Sequence, residues 1–239
     1  MSTPETDPSA AEDDGSYSQR PFTLPPGATE IVFVRHGASA NATPGTSFPM
    51  VAGRGDPPLA PAGRAQARSV GERLRHEPLT KLFVTPLQRT HETAAPLAAA
   101  TGLEPIVVDE LIEVSLGEWE GGEFRIRAAQ GDPIVWEALK AERWDVIPGA
   151  ESPESVEERV RGGVARIVAE AGPDVSVASV VHGGIIGELC RIATRSRPFA
   201  FIHADNGSIT RLVVLDGGHW LLRSFNDISH LSVPTGPAA

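Results

Sequence analysis

Apolar residues in this chain fall into short unbroken runs separated by longer stretches of mixed polarity. The run Ile31-Val32-Phe33-Val34 is continuous and largely β-branched, the mark of a strand buried on both faces. Residues 82–84, 105–108 and 175–181 repeat that pattern. Between them, residues 61–77 read as a helix. Pro61 stands where a first-turn proline is tolerated, and Ala65, Val70 and Leu74 give an approximate apolar stripe. Residues 87–100 form a second helix closed by Gly102, and residues 123–144 look helical with an interruption at Pro133. Residues 155–171 are helical around Gly162-Gly163, and another helix runs from Gly183 to about Ile192. Residues 209–215 and 220–225, joined by Asp216-Gly217-Gly218-His219, read as a hairpin. Strands alternating with helices predict an α/β fold, a three-layer sandwich. Its sheet is mixed and mainly parallel, with helices on both faces and a C-terminal antiparallel hairpin at the edge.

The chain has 239 residues, and at roughly 150 residues per domain this allows one or two domains. Residues 1–28 are rich in Ser, Pro, Asp, Glu and Gly. Such a segment buries too little apolar surface to offset its ordering entropy, and it is expected to be a disordered acidic tail. Residues 29–239 then suit a single α/β domain. Lys and Arg number 21 against 31 Asp and Glu, a formal net charge of -10. That balance excludes a broad basic face for nucleic acid but leaves room for a small cationic pocket. Cys190 is the only cysteine, which excludes an internal disulfide and a cysteine-based zinc site. No apolar run reaches the roughly 18 residues of a membrane span, and residues 1–28 hold no apolar signal core. A cytoplasmic protein without membrane contact is expected.

The candidate chemistry lies at strand ends, where open α/β sheets gather their ligands. His36 directly follows the first buried strand and His182 the fourth. Arg35 precedes His36, and Arg89 lies at the start of the helix after the second strand. Two guanidiniums and two imidazoles meeting at one sheet edge would make a compact cationic pocket in an acidic protein. A small multivalent anion fits it, phosphate best, because guanidinium groups grip phosphate oxygens in bidentate fashion. The helix opening at Gly183-Gly184 would add backbone N–H groups at close approach. A lone histidine after a strand is more often structural, and it is the order and spacing of the set that point to a site. The chain has no His-Glu-x-x-His and no close His/Asp pair typical of a metal site, so no metal or other cofactor is expected.

These residues sit in an ordered series. Val34-Arg35-His36-Gly37 resembles the Arg-His-Gly signature of the histidine phosphatase superfamily, which includes cofactor-dependent phosphoglycerate mutases. Gly55-Asp56-Pro57-Pro58-Leu59 with Gly63 and Gln66-Ala67 resembles that family's second block, and Thr85-Pro86-Leu87-Gln88-Arg89-Thr90 its third. Leu111-Ile112-Glu113 followed by Leu116 to Gly121, then Pro148 to Ser152, then Val181-His182-Gly183-Gly184, are similar to later blocks in the same order. Asn206 to Ile209 and Asn226 to Leu231 resemble the terminal hairpin. Asn41 falls one residue early for the asparagine that usually follows the signature, and Ala38 and Ala60 replace commoner polar residues.

The resemblance implies that His36 is a nucleophile forming a phosphohistidine. It implies that Arg35, Arg89 and His182 hold phosphoryl oxygens, with Asn41 and Gly183 as further substrate contacts. Glu113 is implied as the proton donor to the leaving oxygen, and this predicts an acidic to neutral optimum. The implied activity is metal-independent phosphomonoester hydrolysis of a small phosphorylated metabolite. The alternatives are a phosphoglycerate mutase-like phosphotransferase and a non-catalytic phosphate-binding regulatory module. Mutases of the family carry Glu-Arg-His-Tyr-Gly where this chain has Glu113-Val114-Ser115-Leu116-Gly117, which favours the phosphatase. Residues 122–148 are implied as a substrate lid. Its Arg125, Arg127, Lys140 and Arg143 are read as a solvated helix face, with contacts to an anionic substrate as the alternative.

Overall fold

The computed structural model describes residues 19–231. The first 18 residues of the expected tail therefore lie outside the described residues. Residues 19–27 run as irregular chain to Ala28, which is fully buried. Gly27 N–H donates to Asp174 Oδ1 at 2.7 Å, which ties the chain entering the first strand to a residue far along the sequence.

The elements alternate as the sequence pattern requires. β1 (Thr29–Arg35) leads through the short strands β2 (Met50–Val51) and β3 (Arg54–Gly55) to α1 (Pro61–Leu74). β4 (Leu79–Val84), α2 (Gln88–Thr101) and β5 (Pro105–Val107) follow. The segment expected to be an interrupted helix is two helices, α3 (Glu123–Gln130) and α4 (Pro133–Ala141). Gly131 closes the first, and Asp132 caps the second by accepting from Ile134 N–H. Then come α5 (Pro153–Ala171), β6 (Val175–Val181), α6 (Gly183–Thr194), β7 (Ile209–Val214) and β8 (Trp220–Asp227). The β2–β3 hairpin lies in the chain between β1 and α1, which carries Pro44, Gly45, Pro49, Gly53 and Gly55. Two residues per strand leave no periodicity to read.

The sheet has six strands in the order β5-β4-β6-β1-β7-β8. β5, β4, β6 and β1 run parallel, and β7 and β8 add antiparallel. Alternation along each strand sorts its side chains between two cores. Ile31, Phe33, Phe83, Val177 and Val181 pack with Val160, Ile167, Ile185 and Leu189 of α5 and α6. Val32, Val34, Leu82, Val84, Ala178 and Val180 pack with Val70, Leu74, Ala94 and Leu97 of α1 and α2. The chain leaving β1 thus crosses to one face through α1, and the chain leaving its neighbour β6 crosses to the other through α6. A crevice opens between such diverging connections, outside the carboxyl ends of the two strands. Among the described residues no helix is long and apolar enough to cross a membrane.

One close contact fixes the floor of that crevice. A Cβ on Gly63 of α1 would lie 2.0 Å from Ala38 O, and one on Gly37 would lie 2.5 Å from Gly63 O. Only paired glycines let the loop after β1 lie on the start of α1. By contrast Gly162, in the exposed middle of α5, would meet nothing within 4 Å. Gly63→Ala is expected to cost about 1–3 kcal/mol through backbone overpacking, lowering Tm by roughly 2–12 °C in a domain of this size. Gly162→Ala is expected to raise Tm, by up to about 1 kcal/mol of helix stabilisation. Thermal melts of the two variants beside the wild type check both signs.

Candidate active site

The parallel register of β1 and β6 determines where the two histidines meet. Arg35 is paired with Val181 across the ladder, so His36 and His182 leave adjacent strands at the same height. His36 N–H donates to Val181 O at 3.0 Å. The two rings stand edge to face with centroids 5.2 Å apart, and both are buried. α2 supplies Arg89, whose Nε–H donates to His36 Nε2 at 3.3 Å. Arg35 lies under the first turn of α6, where a Cβ on Gly183 would come within 3.1 Å of Arg35 Nε. His36, His182, Arg35, Arg89 and Gly183 therefore form one cluster.

Hydrogen bonds assign the state of each ring. His36 Nδ1 lies 2.8 Å from Gly37 O. A carbonyl only accepts, so Nδ1 carries the proton, and Nε2, facing Arg89 Nε–H, keeps a lone pair. His182 Nε2 lies 2.8 Å from Thr85 Oγ1. Burial, reinforced by the charges of Arg89 and Arg35, holds His36 well below the ordinary imidazole pKa. Burial and Arg89, then His36 and Arg35, do the same to His182. Both rings are neutral among permanent cations. Burial also lowers the guanidinium pKa values of Arg35 and Arg89, while Glu113 is the largest opposing influence on each.

Two buried nitrogens in the cluster, Arg35 Nε and His182 Nδ1, have no hydrogen-bond partner among the described residues. Buried polar groups are rarely left so, and beside two guanidiniums the arrangement can take an anion. The rest of each side chain is tied down. Arg35 Nη1 donates to Ala204 O. Arg89 Nη1 donates to Gly55 O at 2.8 Å and pairs with Asp56 at 3.7 Å. Asn206 Nδ2 donates to His36 O at 2.9 Å. Thr93 Oγ1 accepts Gly37 N–H at 3.0 Å, and Gln66 Oε1 accepts Ala38 N–H at 2.8 Å. Asp56, Gln66, Thr85, Thr93 and Asn206 thus hold the cluster in shape. Asp56, Gln66, Thr85 and Asn206 lie within the family-like blocks of the sequence, whose pattern alone gives them no role.

Glu113 reaches the same place from the loop after β5. Its carboxylate accepts Val114 N–H at 3.0 Å and Gly184 N–H at 3.4 Å. A Cβ on Gly184 would sit 2.6 Å from Glu113 Oε1, so any other residue here would push the carboxylate away from the helix. The main chain behind it is clamped: Glu113 O accepts from Arg54 Nε at 3.0 Å and Arg159 Nη2 at 3.3 Å. Both arginines also bind Glu151. Burial pulls the Glu151 carboxyl up, but Arg159, with hydrogen bonds from Ser155 and the Ser115 N–H, holds it below its ordinary pKa.

Asn41 stands apart from the cluster. It is exposed on the loop after β1 and borders a shallow hollow with Arg125 and Ile126. The lid cations divide. Arg127 pairs with Glu123 and Asp132, Arg143 pairs with Asp145, and Lys140 is exposed, as a solvated face requires. Arg125 instead donates to Ala40 O at 2.9 Å and Ser39 Oγ at 2.8 Å, and its charge adds to the lowering of the His36 pKa. The Glu123/Arg127 spacing of four residues was the readable signal, because it commits Arg127 to its own helix and leaves Arg125 on another side. Trp119 is buried against Phe124, and Cys190 is a core thiol that burial pushes up to about 12. Among the described residues no group of three or more His, Cys, Asp or Glu is placed to hold a metal ion.

Comparison with known proteins agrees with this geometry. The family model of the histidine phosphatase superfamily (branch 1) matches residues 31–228. The Arabidopsis thaliana protein called phosphoglycerate mutase-like protein 4 is 32% identical over 208 residues, 84% of this chain and 86% of its own. A mycobacterial glucosyl-3-phosphoglycerate phosphatase structure superposes with a TM-score of 0.66 at 30% identity, covering 83% of this chain and 99% of that one. A phosphoglycerate mutase structure from Bacillus anthracis shares the fold, with a TM-score of 0.69 at 21% identity, covering 86% of this chain and 96% of that one. The match extends over nearly the whole α/β domain, and the chain belongs to the histidine phosphatase superfamily, branch 1.

Proposed function

We propose that the protein is a phosphomonoesterase that hydrolyses a small phosphorylated metabolite through a phosphohistidine on His36. The observation that carries this reading is the state of His36. Its Nδ1 proton is committed to Gly37 O and its Nε2 lone pair faces a pocket of two guanidiniums and a second neutral imidazole. Imidazole nitrogen attacks phosphorus, the P–O ester bond breaks, and Glu113 protonates the departing alkoxide. Water then attacks the phosphohistidine with Glu113 as base, releasing phosphate and free His36. Arg35 Nε and Arg89 hold the equatorial oxygens. Thr85 O–H donating to His182 Nε2 would leave His182 Nδ1–H as a further donor to them. Phosphoryl transfer needs alignment and charge neutralisation more than covalent help, and fixed donors supply both.

The mutase reading asks for a second anion-binding group beside the acid. The side chain following Glu113 is Val114, buried and apolar, which supports hydrolysis. A mutase would isomerise 3-phosphoglycerate faster than it hydrolyses it, and that assay decides between the two. A regulatory module without turnover is separated by the same panel of phosphate esters.

His36→Ala is expected to abolish turnover of p-nitrophenyl phosphate and the acid-labile phosphoenzyme trapped by rapid quench. Glu113→Gln is expected to lower kcat/KM for alkyl phosphates by about 10²–10⁴. Its effect on p-nitrophenyl phosphate should be much smaller, because p-nitrophenolate leaves without a proton; equal losses would remove Glu113 as the acid. In the ligand-free protein the His36 ring resonances should titrate with a midpoint below 6.5. Arg89→Gln should move that midpoint up, since a neighbouring cation is lost. Activity should survive EDTA unchanged, the oxygens being held by fixed cations.

A further inference from the structure

Arg54 and Gly55, neighbours on β3, touch both halves of the proposed chemistry. Gly55 O accepts from Arg89 Nη1 at 2.8 Å, and Arg89 is one of the two guanidiniums of the phosphoryl cluster. Arg54 Nε donates to Glu113 O at 3.0 Å, on the main chain that carries the proposed acid. Consecutive residues of one strand thus tie the group that would hold phosphoryl oxygens to the segment that would deliver the proton.

The tie is stiff. Met50 and Val51 pair with Gly55 and Arg54 across a turn of two residues, Ala52 and Gly53. Their φ angles of 48° and 74° are those of a tight hairpin turn. The other two nitrogens of the Arg54 guanidinium are also engaged, Nη1 with Ala52 O at 3.0 Å and Nη2 with Glu151 Oε2 at 3.3 Å. Its side chain is 18% exposed, so water competes little for these donors. Glu120 makes a second tie. Its Oε2 accepts Gly55 N–H at 2.9 Å, and its Oε1 accepts Leu116 N–H at 2.8 Å. The hairpin is therefore bound to the acid's segment at Glu113 and again three residues further on. The Glu113 carboxylate itself takes its hydrogen bonds from Val114 and Gly184 N–H. Arg54 and Glu120 fix the main chain on which that carboxylate stands.

The geometry points to Arg54 and Glu120 as positioning residues that hold Glu113 at its distance from the phosphoryl cluster. The inference rests on the phosphomonoesterase reading and adds to it two residues that act through the backbone of the acid. A displacement of about 1 Å can cost about 10²-fold in rate, and here only esters whose leaving oxygen must be protonated would feel it in full.

The test compares phenyl phosphate with p-nitrophenyl phosphate, two esters of similar shape. Phenolate is about as basic as a tyrosinate, with a pKa of about 10, and needs the proton that p-nitrophenolate does without. Because kcat/KM reports the step that breaks the ester bond, it isolates that proton. In Arg54→Met, which keeps an apolar stem, and in Glu120→Gln, kcat/KM for phenyl phosphate should fall about 10-fold or more. The value for p-nitrophenyl phosphate should fall by less than about 3-fold. Placed in a Glu113→Gln background, either substitution should cost phenyl phosphate less than about 3-fold, because the group it positions is gone. Thermal melts identify the folded variants, and a single folded one decides. Equal losses on the two esters, losses that add to that of Glu113→Gln, or an unchanged rate on phenyl phosphate would overturn the positioning role and leave the phosphatase standing. So would wild-type turnover confined to p-nitrophenyl phosphate. Turnover of neither ester by the wild type would overturn both.

Discussion

The parallel pairing of β1 with β6 is the constraint from which the site follows. Hydrogen bonding fixes the two strands in register from Thr29 and Val175 to Arg35 and Val181. A shift of one residue would send Arg35 to the opposite core and separate the two imidazoles. The apolar alternation of both strands forbids such a shift, because it would turn Phe33 and Val34 each towards the wrong set of helices. Core packing therefore places His36 beside His182, although 145 residues separate them in the chain. The helices leaving the two strands diverge to opposite faces, and this opens the room a ligand needs.

The electrostatics follow from that burial. Two histidines enclosed beside two arginines cannot both take up protons at neutral pH, so the rings stay neutral and the guanidiniums carry the charge. Fixed positive charge holds an anion, and an uncharged ring nitrogen has the electron pair to attack it. Glu113 adds a carboxylate beside the cluster and most strongly opposes the desolvation of both arginines, with Asp205 helping at Arg35 and Asp56 at Arg89. The division of labour between charge and nucleophile is set by which groups can lose a proton.

Most of the fold was legible because its signals are local. Continuous apolar runs marked β1, β4 and β6, and the glycine-rich turn marked the β7–β8 hairpin. Strand ends followed by histidine pointed to the cluster, and the spacing of the motifs made the case specific. What escaped was tertiary. The Glu123/Arg127 spacing sets Arg125 apart, but its partners Ser39 and Ala40 depend on α3 lying over the loop after β1, which no periodicity within α3 reports. The exposure of Asn41 on the loop after β1, beside Arg125, is set by how that loop meets α3, which motif spacing does not report. Thr85 reads as an ordinary turn residue until the register of β4 against β6 puts its hydroxyl beside His182. Burial of Ala28 likewise depends on Asp174, far along the chain.

The grip of Arg54 and Arg159 on the carbonyl of Glu113 has a wider meaning. Both guanidiniums attach to backbone oxygen and to Glu151, and neither touches the reactive carboxylate. The height of Glu113 is thus set by scaffold contacts that involve neither α3 nor α4. Those helices can drift in sequence and shape over evolutionary time while the carboxylate keeps its station. Under the phosphomonoesterase proposed above, a lineage built on this arrangement would be free to exchange one alcohol for another without rebuilding its chemistry.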